Sequence, residues 1–434
     1  MADLSVELAG IKFKNPISIA SHAPAAPWAH WAPDRNAPEI QMKVWRKYYE
    51  ADVGSLTTGT VYFEDIAKPA GGGRFWAAST PGFAKREGFI SAATIPDAMW
   101  SRTNGLEALR RAKKEFTDMR LIASIIVAGI DPAVWAQLAL ECEQAGADMV
   151  ELNCGSVMFI DTVAEAKQDL DIKDKIPAGV TIGEVPEVVA AIVKGIKQKV
   201  KIPVAVKLTP EMSFFRLYSA IPVYQEAGVA AVIANHTFMS VVPPDIYNRG
   251  KTTFPGMKTT TWWSTNGPWH RFACYRNVAM LGKFYPEMET IACGGLVTPE
   301  QCVEIMMLGA KKVQLSAGIF WNGLGFPEKV VKFLKKYMDE QGYRDMNELR
   351  GIGLPYIVEM EECQRELKAQ IGHLVANVNL EACKGTEKCD VCLDTWCSAT
   401  YEENGYPRVD PELCASCYLC VIRCPHGARY MEEI

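Results

Sequence analysis

Eight of the chain's fourteen cysteines fall between Cys383 and Cys424, and that crowding limits the fold more than any other feature. The last four read Cys414-x2-Cys417-x2-Cys420-x3-Cys424-Pro425. Thiolates at this spacing let a short loop wrap three corners of an iron–sulfur cube, while the fourth commonly serves a neighbouring cube. Zinc wants four ligands, usually as two close pairs with a longer gap, and fits eight cysteines poorly. Upstream the set is looser: Cys383-x5-Cys389-x2-Cys392-x4-Cys397. Val409 and Tyr430 fall where short strands would flank the second loop. Such a domain is a one-electron wire.

The start, Met1-Ala2-Asp3-Leu4, lacks a basic region followed by an apolar one, so a cytoplasmic protein without a disulfide framework is expected. The other cysteines (Cys142, Cys154, Cys274, Cys293, Cys302, Cys363) are scattered through apolar or helical stretches, as buried thiols are. No apolar run approaches the ~18 residues of a membrane span. Residues 381–434 carry ten acidic and five basic side chains and so account for the whole formal charge of −5. That asymmetry argues against nucleic acid and suits either a basic docking partner or a solvated acidic surface.

At 434 residues the chain exceeds what one core usually serves, which predicts a large domain and a smaller one. Residues 1–335 alternate short apolar runs with amphipathic helical stretches. Strands are expected at 17–20, 55–58, 121–127, 149–153, 204–208, 231–234, 290–293 and 312–315, with helices such as 186–199 and 299–308 between them. Eight such runs predict an α/β fold, a parallel sheet closed into a (β/α)8 TIM barrel. An open doubly wound sheet is the alternative, weakened by the lack of a G-x-G-x-x-G phrase between strand and helix. Residues 336–380 read as a helical connector and 381–434 as the iron–sulfur domain.

Function in such a barrel sits at the carboxyl ends of the strands. Those ends are polar here: Ser21-His22, Thr57-Thr58, Asn153-Cys154, Lys207, Asn235-His236-Thr237, Gly294-Gly295 and Ser316-Ala317-Gly318. The last two follow strands seven and eight, where backbone N–H groups of glycine-rich turns commonly grip a phosphate. Lys207 would be costly to bury unpaired. Its partner is either the negative edge of a flavin or a carboxylate such as Glu151.

These residues carry a family resemblance. The phrases Asn15-Pro16 to Ala20-Ser21, Asn104-Gly105-Leu106, Glu151-Leu152-Asn153, Lys207-Leu208-Thr209-Pro210, Gly294-Gly295, Val313-Gln314 and the cysteine tail make the chain similar to the flavin- and iron–sulfur-containing portion of dihydropyrimidine dehydrogenases, relatives of dihydroorotate dehydrogenases. The tail resembles a small α+β two-cluster bacterial ferredoxin with its first loop enlarged. The resemblance implies FMN and two [4Fe–4S] clusters. Ala20, Ser21, Thr58, Asn153 and Lys207 would meet the flavin, while Gly294, Gly295, Ala317 and Gly318 would hold its phosphate. Asn104, Asn153 and Thr237 match substrate contacts. Cys383, Cys389, Cys392 and Cys424 would hold one cluster, and Cys414, Cys417, Cys420 and Cys397 the other.

Four departures fall on flavin and substrate contacts. Thr58-Gly59-Thr60 lacks the lysine of the usual Thr-Lys-Thr. Ile182, in Thr181-Ile182-Gly183-Glu184, stands where the family carries its acid/base cysteine. Cys154-Gly155-Ser156 replaces Ser-Cys-Pro, and His236 replaces an asparagine. Isoleucine cannot exchange a proton. His236 is then the first candidate acid because imidazole titrates near neutrality, with Cys154, Thr181, His22 or a bound water behind it.

A non-pyrimidine substrate is expected, since a pyrimidine would lose matched amide partners. Trp28, Trp31, Trp262, Trp263 and Trp269 would wall a flat ligand, or simply pack. The expected activity is oxidation or reduction of a C=C bond conjugated to a carbonyl or ring nitrogen. Electrons would pass to or from a ferredoxin or an NAD(P)H-oxidising flavoprotein subunit, within an oligomer. An electron-relay subunit with a degenerate site, and a pyrimidine reductase with rearranged acid/base residues, are the alternatives.

Overall fold

The eight apolar runs become eight parallel strands: β1 Ile17–Ile19, β2 Ser55–Thr57, β3 Arg120–Ile126, β4 Met149–Asn153, β5 Val204–Lys207, β6 Ala231–Ile233, β7 Thr290–Cys293 and β8 Lys312–Leu315. In this computed structural model each pairs with the next, and β8 pairs with β1, so the sheet closes. The residues described are 2–21, 38–63, 75–79, 89–93, 101–127, 129–155, 182–241, 243–253, 258–259, 263–370, 373–394 and 397–434.

A helix follows every strand: α1 Pro38–Glu50, α2 Arg102–Glu115, α3 Pro132–Gln144, α4 Pro186–Lys197, α5 Phe214–Ala227, α6 Arg271–Phe284, α7 Pro299–Met307 and, after a short helix Ala317–Asn322, α8 Phe326–Gln341. Local chemistry sets their starts. Ser101, Asp131 and Ser213 cap α2, α3 and α5, and Thr298 with Gln301 forms a reciprocal capping box on α7. Apolar residues at helical spacing, such as Val189, Ile192, Val193 and Ile196 of α4, turn inward onto the strands. Burying each such side chain contributes roughly 1.5–3 kcal/mol.

Inside the barrel, Ile122, Met149, Ala205, Ala231, Ile233 and Ile291 pack with Leu8 and Phe13. Those two come from an amino-terminal hairpin, Val6–Leu8 with Ile11–Phe13. The inner layer is therefore solid side chain at that level, and the polar strand ends collect at the other end, as the barrel fold requires.

Two long connections build an antiparallel sheet absent from the sequence reading. Phe238–Ser240 and Trp263–Asn266, between β6 and α6, pair with each other, and Trp263–Asn266 also pairs with Phe89–Ala93, which pairs in turn with Phe75–Ser79 between β2 and α2. Their partners lie far apart in the chain, so local periodicity gave no sign of them.

Two compact units divide at Leu354 and Pro355. The segment read as one connector, 336–380, falls on both sides. Helix α8 belongs with the barrel because Phe326, Val330, Leu334 and Met338 are buried there. Leu374–Val378 belongs to the second unit because it pairs along its length with Arg429–Glu433. That unit also contains helix Met360–Gln370, the hairpin Thr400–Glu403 with Tyr406–Val409, and the short helix Leu419–Arg423. Val409 and Tyr430 both lie in strands. Among the described residues no helix is long and apolar enough to cross a membrane.

Candidate functional site

A cavity opens where the barrel strands end. It is lined by Ala20, Lys207, His236, Thr237, Asn266, His270, Cys293, Gly294, Gly295, Leu296, Gln314, Ser316 and Ala317. Ala20 follows β1, Lys207 ends β5, His236 and Thr237 follow β6, the glycines follow β7, and Ser316 follows β8. The fold thus gathers six of the residues expected to meet flavin, phosphate or substrate (Ala20, Lys207, Thr237, Gly294, Gly295, Ala317) and the first candidate acid.

Charge at the floor of this cavity is paired. Lys207 Nζ lies 3.3 Å from Glu151 Oε1 and donates to Gln314 Oε1 at 3.1 Å. Gln314 Nε2 in turn donates to Glu151 Oε2 at 2.7 Å and Thr57 Oγ1 at 3.2 Å. Burial alone would lower the lysine's pKa, but Cys293 and Glu151 beside it raise it, so the ammonium stays charged. Glu151 holds the lysine, as one of the two sequence readings had it. Lys207 still lines the cavity, so the pair does not withdraw it from a ligand.

A second polar chain runs beside it. Asn153 Nδ2 donates to Thr60 Oγ1 at 3.0 Å, Thr60 Oγ1 lies 3.2 Å from Ser124 Oγ, and the Ser124 N–H donates to Thr58 Oγ1 at 3.2 Å. The departure at Gly59 thus stands between two threonines that both serve this network. Ser21 Oγ is buried beside Ala20 and has no hydrogen-bond partner among the described residues.

Glycines at these positions let the chain pack where no side chain would fit. At Gly295, with φ +73°, a Cβ would come under 3.0 Å from Arg271 N and Gly267 O. At Gly318 it would strike Phe326 and Leu296 O. Backbone N–H groups that carry no side chain beside them suit a small group bearing oxygen acceptors, such as a phosphate, in the cavity that Gly294 and Gly295 line. His270 Nε2 is buried without a hydrogen-bond partner among the described residues, and burial pushes its imidazole down to about 3, so the ring is neutral. An orphaned polar atom and a backbone cradle in one cavity fit a bound cofactor. His270 and Asn266 were missed in the sequence because nothing about isolated polar residues in long connections marks which will fold back, while Ser316 was expected there as part of Ser316-Ala317-Gly318.

The acid/base candidates separate. His236 lines the cavity, and its Nδ1 lies 2.9 Å from Thr237 Oγ1, which is itself hydrogen-bonded to Ser264 Oγ. Cys154 is buried, and burial pushes its thiol up to about 12. Ile182 packs in the large apolar core beside it. Asn104 sits in the first turn of α2, where its N–H meets the Ser101 cap, and is not among the lining residues. Thr181, His22, Trp28, Trp31 and Trp262 lie outside the described residues, as does the side chain of Trp263. Trp269 stacks on His270.

In the second unit, Cys397, Cys414, Cys417 and Cys420 line a cavity of about 310 Å³ with Ala376, Ala399, Val409 and Met431. These are the four cysteines assigned to one cluster from the resemblance. Among the described residues no three His, Cys, Asp or Glu side chains converge on a point suited to one metal ion. The thiols instead ring a volume, which suits a polynuclear group. Residues 407–430 match the 4Fe–4S binding domain model, and residues 174–338, from before α4 to α8, match the dihydroorotate dehydrogenase model.

The chain is thus similar to dihydroorotate dehydrogenases over residues 174–338 and to 4Fe–4S binding domains over residues 407–430.

Relatives agree on the class. The NAD-dependent dihydropyrimidine dehydrogenase subunit PreA of Escherichia coli (strain K12) is 25% identical over 439 residues, covering 100% of this chain and 96% of that one. The dihydroorotate dehydrogenase B (NAD(+)) catalytic subunit of Pyrococcus abyssi is 26% identical over 81% of this chain and 99% of its own length. The chloroplastic dihydropyrimidine dehydrogenase (NADP(+)) of Arabidopsis thaliana is 24% identical over 85% and 81%. The chain is a flavin-dependent oxidoreductase acting on CH–CH groups, and the dihydroorotate dehydrogenases it resembles typically use FMN.

Proposed function

We propose that this dehydrogenase binds FMN in the barrel cavity and two [4Fe–4S] clusters in the second unit, and interconverts a C–C single bond and a C=C bond conjugated to a carbonyl or ring nitrogen in a flat, non-pyrimidine substrate. FMN, when bound, supplies hydride exchange and splits an electron pair into single electrons. Gly294, Gly295, Ala317 and Gly318 would hold its phosphate, and Ala20, Ser21, Asn153 and Lys207 its ring system. His236, at the cavity wall, moves the substrate proton. Thr237 Oγ1 lies 2.9 Å from its Nδ1 and fixes the orientation of the ring.

One observation carries this reading: His236 lines the cavity that holds Lys207 and the glycine turn, while Ile182 is sealed in the core. A partner of the NAD(P)H-oxidising subunit or ferredoxin kind would exchange electrons with the clusters. The word "subunit" in the bacterial relative's name favours such an assembly.

Anaerobically purified chain should contain one FMN and about eight iron atoms, and about four iron would remove one cluster. Unsaturated carbonyl and heteroaromatic compounds, with uracil and thymine alongside, are then mixed with the chain while flavin absorbance is followed. Bleaching or reoxidation by a non-pyrimidine compound supports the reading. Response to uracil or thymine alone supports a pyrimidine enzyme, and flavin reduction only through a partner supports an electron-relay subunit.

A further inference from the structure

The second unit holds a cation that the protein itself leaves unsatisfied. Arg429 opens the strand Arg429–Glu433 and is 3% exposed, yet its Nε, Nη1 and Nη2 have no hydrogen-bond partner among the described residues. The other two arginines of residues 381–434 face oxygen: Arg408 lies 3.4 Å from Glu403, and Arg423 donates to the Asp394 carbonyl at 3.4 Å. Burying a guanidinium with its donors unmet is among the costliest arrangements a small domain can carry. Its acceptors are therefore to be sought in what the unit binds.

Geometry identifies them. Side chains two apart on a strand share a face, which puts Arg429 on the side of Met431, a wall of the cysteine cavity. Its backbone is pinned opposite Val378 in the Leu374–Val378 pairing. The residue just before it, Ala428, donates its backbone N–H to Cys424 Sγ at 3.2 Å. On the proposed ligand sets, the cavity walled by Met431 holds one cluster and Cys424 belongs to the other, so Arg429 stands between residues that adjoin both.

We propose that the Arg429 guanidinium donates hydrogen bonds to sulfur atoms of the [4Fe–4S] clusters and raises the reduction potential of at least one of them. The inference rests on the two-cluster reading given above. Reduction adds one negative charge to a cluster, and a fixed positive charge with N–H donors in a low-dielectric site stabilises that form more than the oxidised one. Arg429 is thus a tuning residue: it leaves the iron bound by cysteine and sets where electrons settle between the clusters.

The test is an anaerobic redox titration of the full chain, followed by electron paramagnetic resonance, on the wild type, Arg429→Met and Arg429→Lys. Arg429→Met should keep wild-type iron and FMN content while at least one midpoint falls by a tenfold change in its reduction equilibrium, about 59 mV for one electron. Full iron with both midpoints unmoved overturns the proposal. Should Arg429→Met lose iron, Arg429→Lys decides. Iron regained with the charge supports the proposal, and an iron-free lysine variant that retains FMN assigns Arg429 to packing and overturns it. Absence of iron from the wild type is a different failure, since it removes the two-cluster reading first.

Discussion

A Cβ placed on Gly155 would stand less than 3.0 Å from the Cβ of His236. Two departures from the family pattern, far apart in the chain, are therefore one feature in space: the glycine after β4 makes room for the histidine after β6. Gly155→Ala should push His236 from the cavity wall and lower turnover about tenfold, and His236→Asn should lower it about 10²-fold while abolishing one limb of the pH–rate profile. Overcrowding at 155 should also cost about 1–3 kcal/mol of stability. Steady-state kinetics across pH on both variants checks this, and an unchanged profile in His236→Asn removes the histidine from the proton path.

Gly295 should be required for cofactor retention. Its φ of +73° and the closeness of Arg271 N leave no room for a side chain. Gly295→Ala therefore has to displace the start of α6 or the turn after β7, both of which shape the cavity. We expect FMN per chain to drop severalfold, read from absorbance after anaerobic gel filtration. A variant that keeps full flavin would place the phosphate elsewhere.

All eight strands of the barrel were legible, because parallel strands buried on both faces read as short apolar runs with polar residues at their carboxyl ends. The cysteine tail was legible for a different reason, since ligand spacing is set by the geometry of the cluster rather than by the fold. The four-stranded sheet of 75–79, 89–93, 238–240 and 263–266 was not, because pairing 89–93 with 263–266 joins segments more than a hundred residues apart. His270 was equally silent: a histidine next to a tryptophan reads as surface until α6 buries it.

Lys207 and Glu151 form an ion pair with side chains 3% and 0% exposed. Removing either partner strands a buried charge, for which about 3–5 kcal/mol is typical. Lys207→Met should thus unfold at clearly lower denaturant than the wild type. The double variant Lys207→Met with Glu151→Gln should recover part of that loss, because the neutral amide introduced at position 151 could still share hydrogen bonds with Gln314. Denaturant titrations of the wild type, both single variants and the double variant, all stripped of cofactor, measure the coupling, and additive losses would mean the pair contributes nothing as a pair.

His270 makes stability depend on pH in a stated direction. Burial lowers its folded-state pKa from 6.5 to about 3, so the unfolded chain binds the extra proton first as pH falls. Stability from this group is complete above about pH 6.5 and declines below it by up to about 1.4 kcal/mol per pH unit, levelling off only near pH 3. His270→Phe removes the titrating group while keeping a ring against Phe238 and Trp269. Denaturant midpoints between about pH 7 and pH 5 should fall less steeply in the variant than in the wild type. Parallel slopes would show that His270 becomes protonated in the folded barrel without cost, which would require an acceptor or solvent at Nε2.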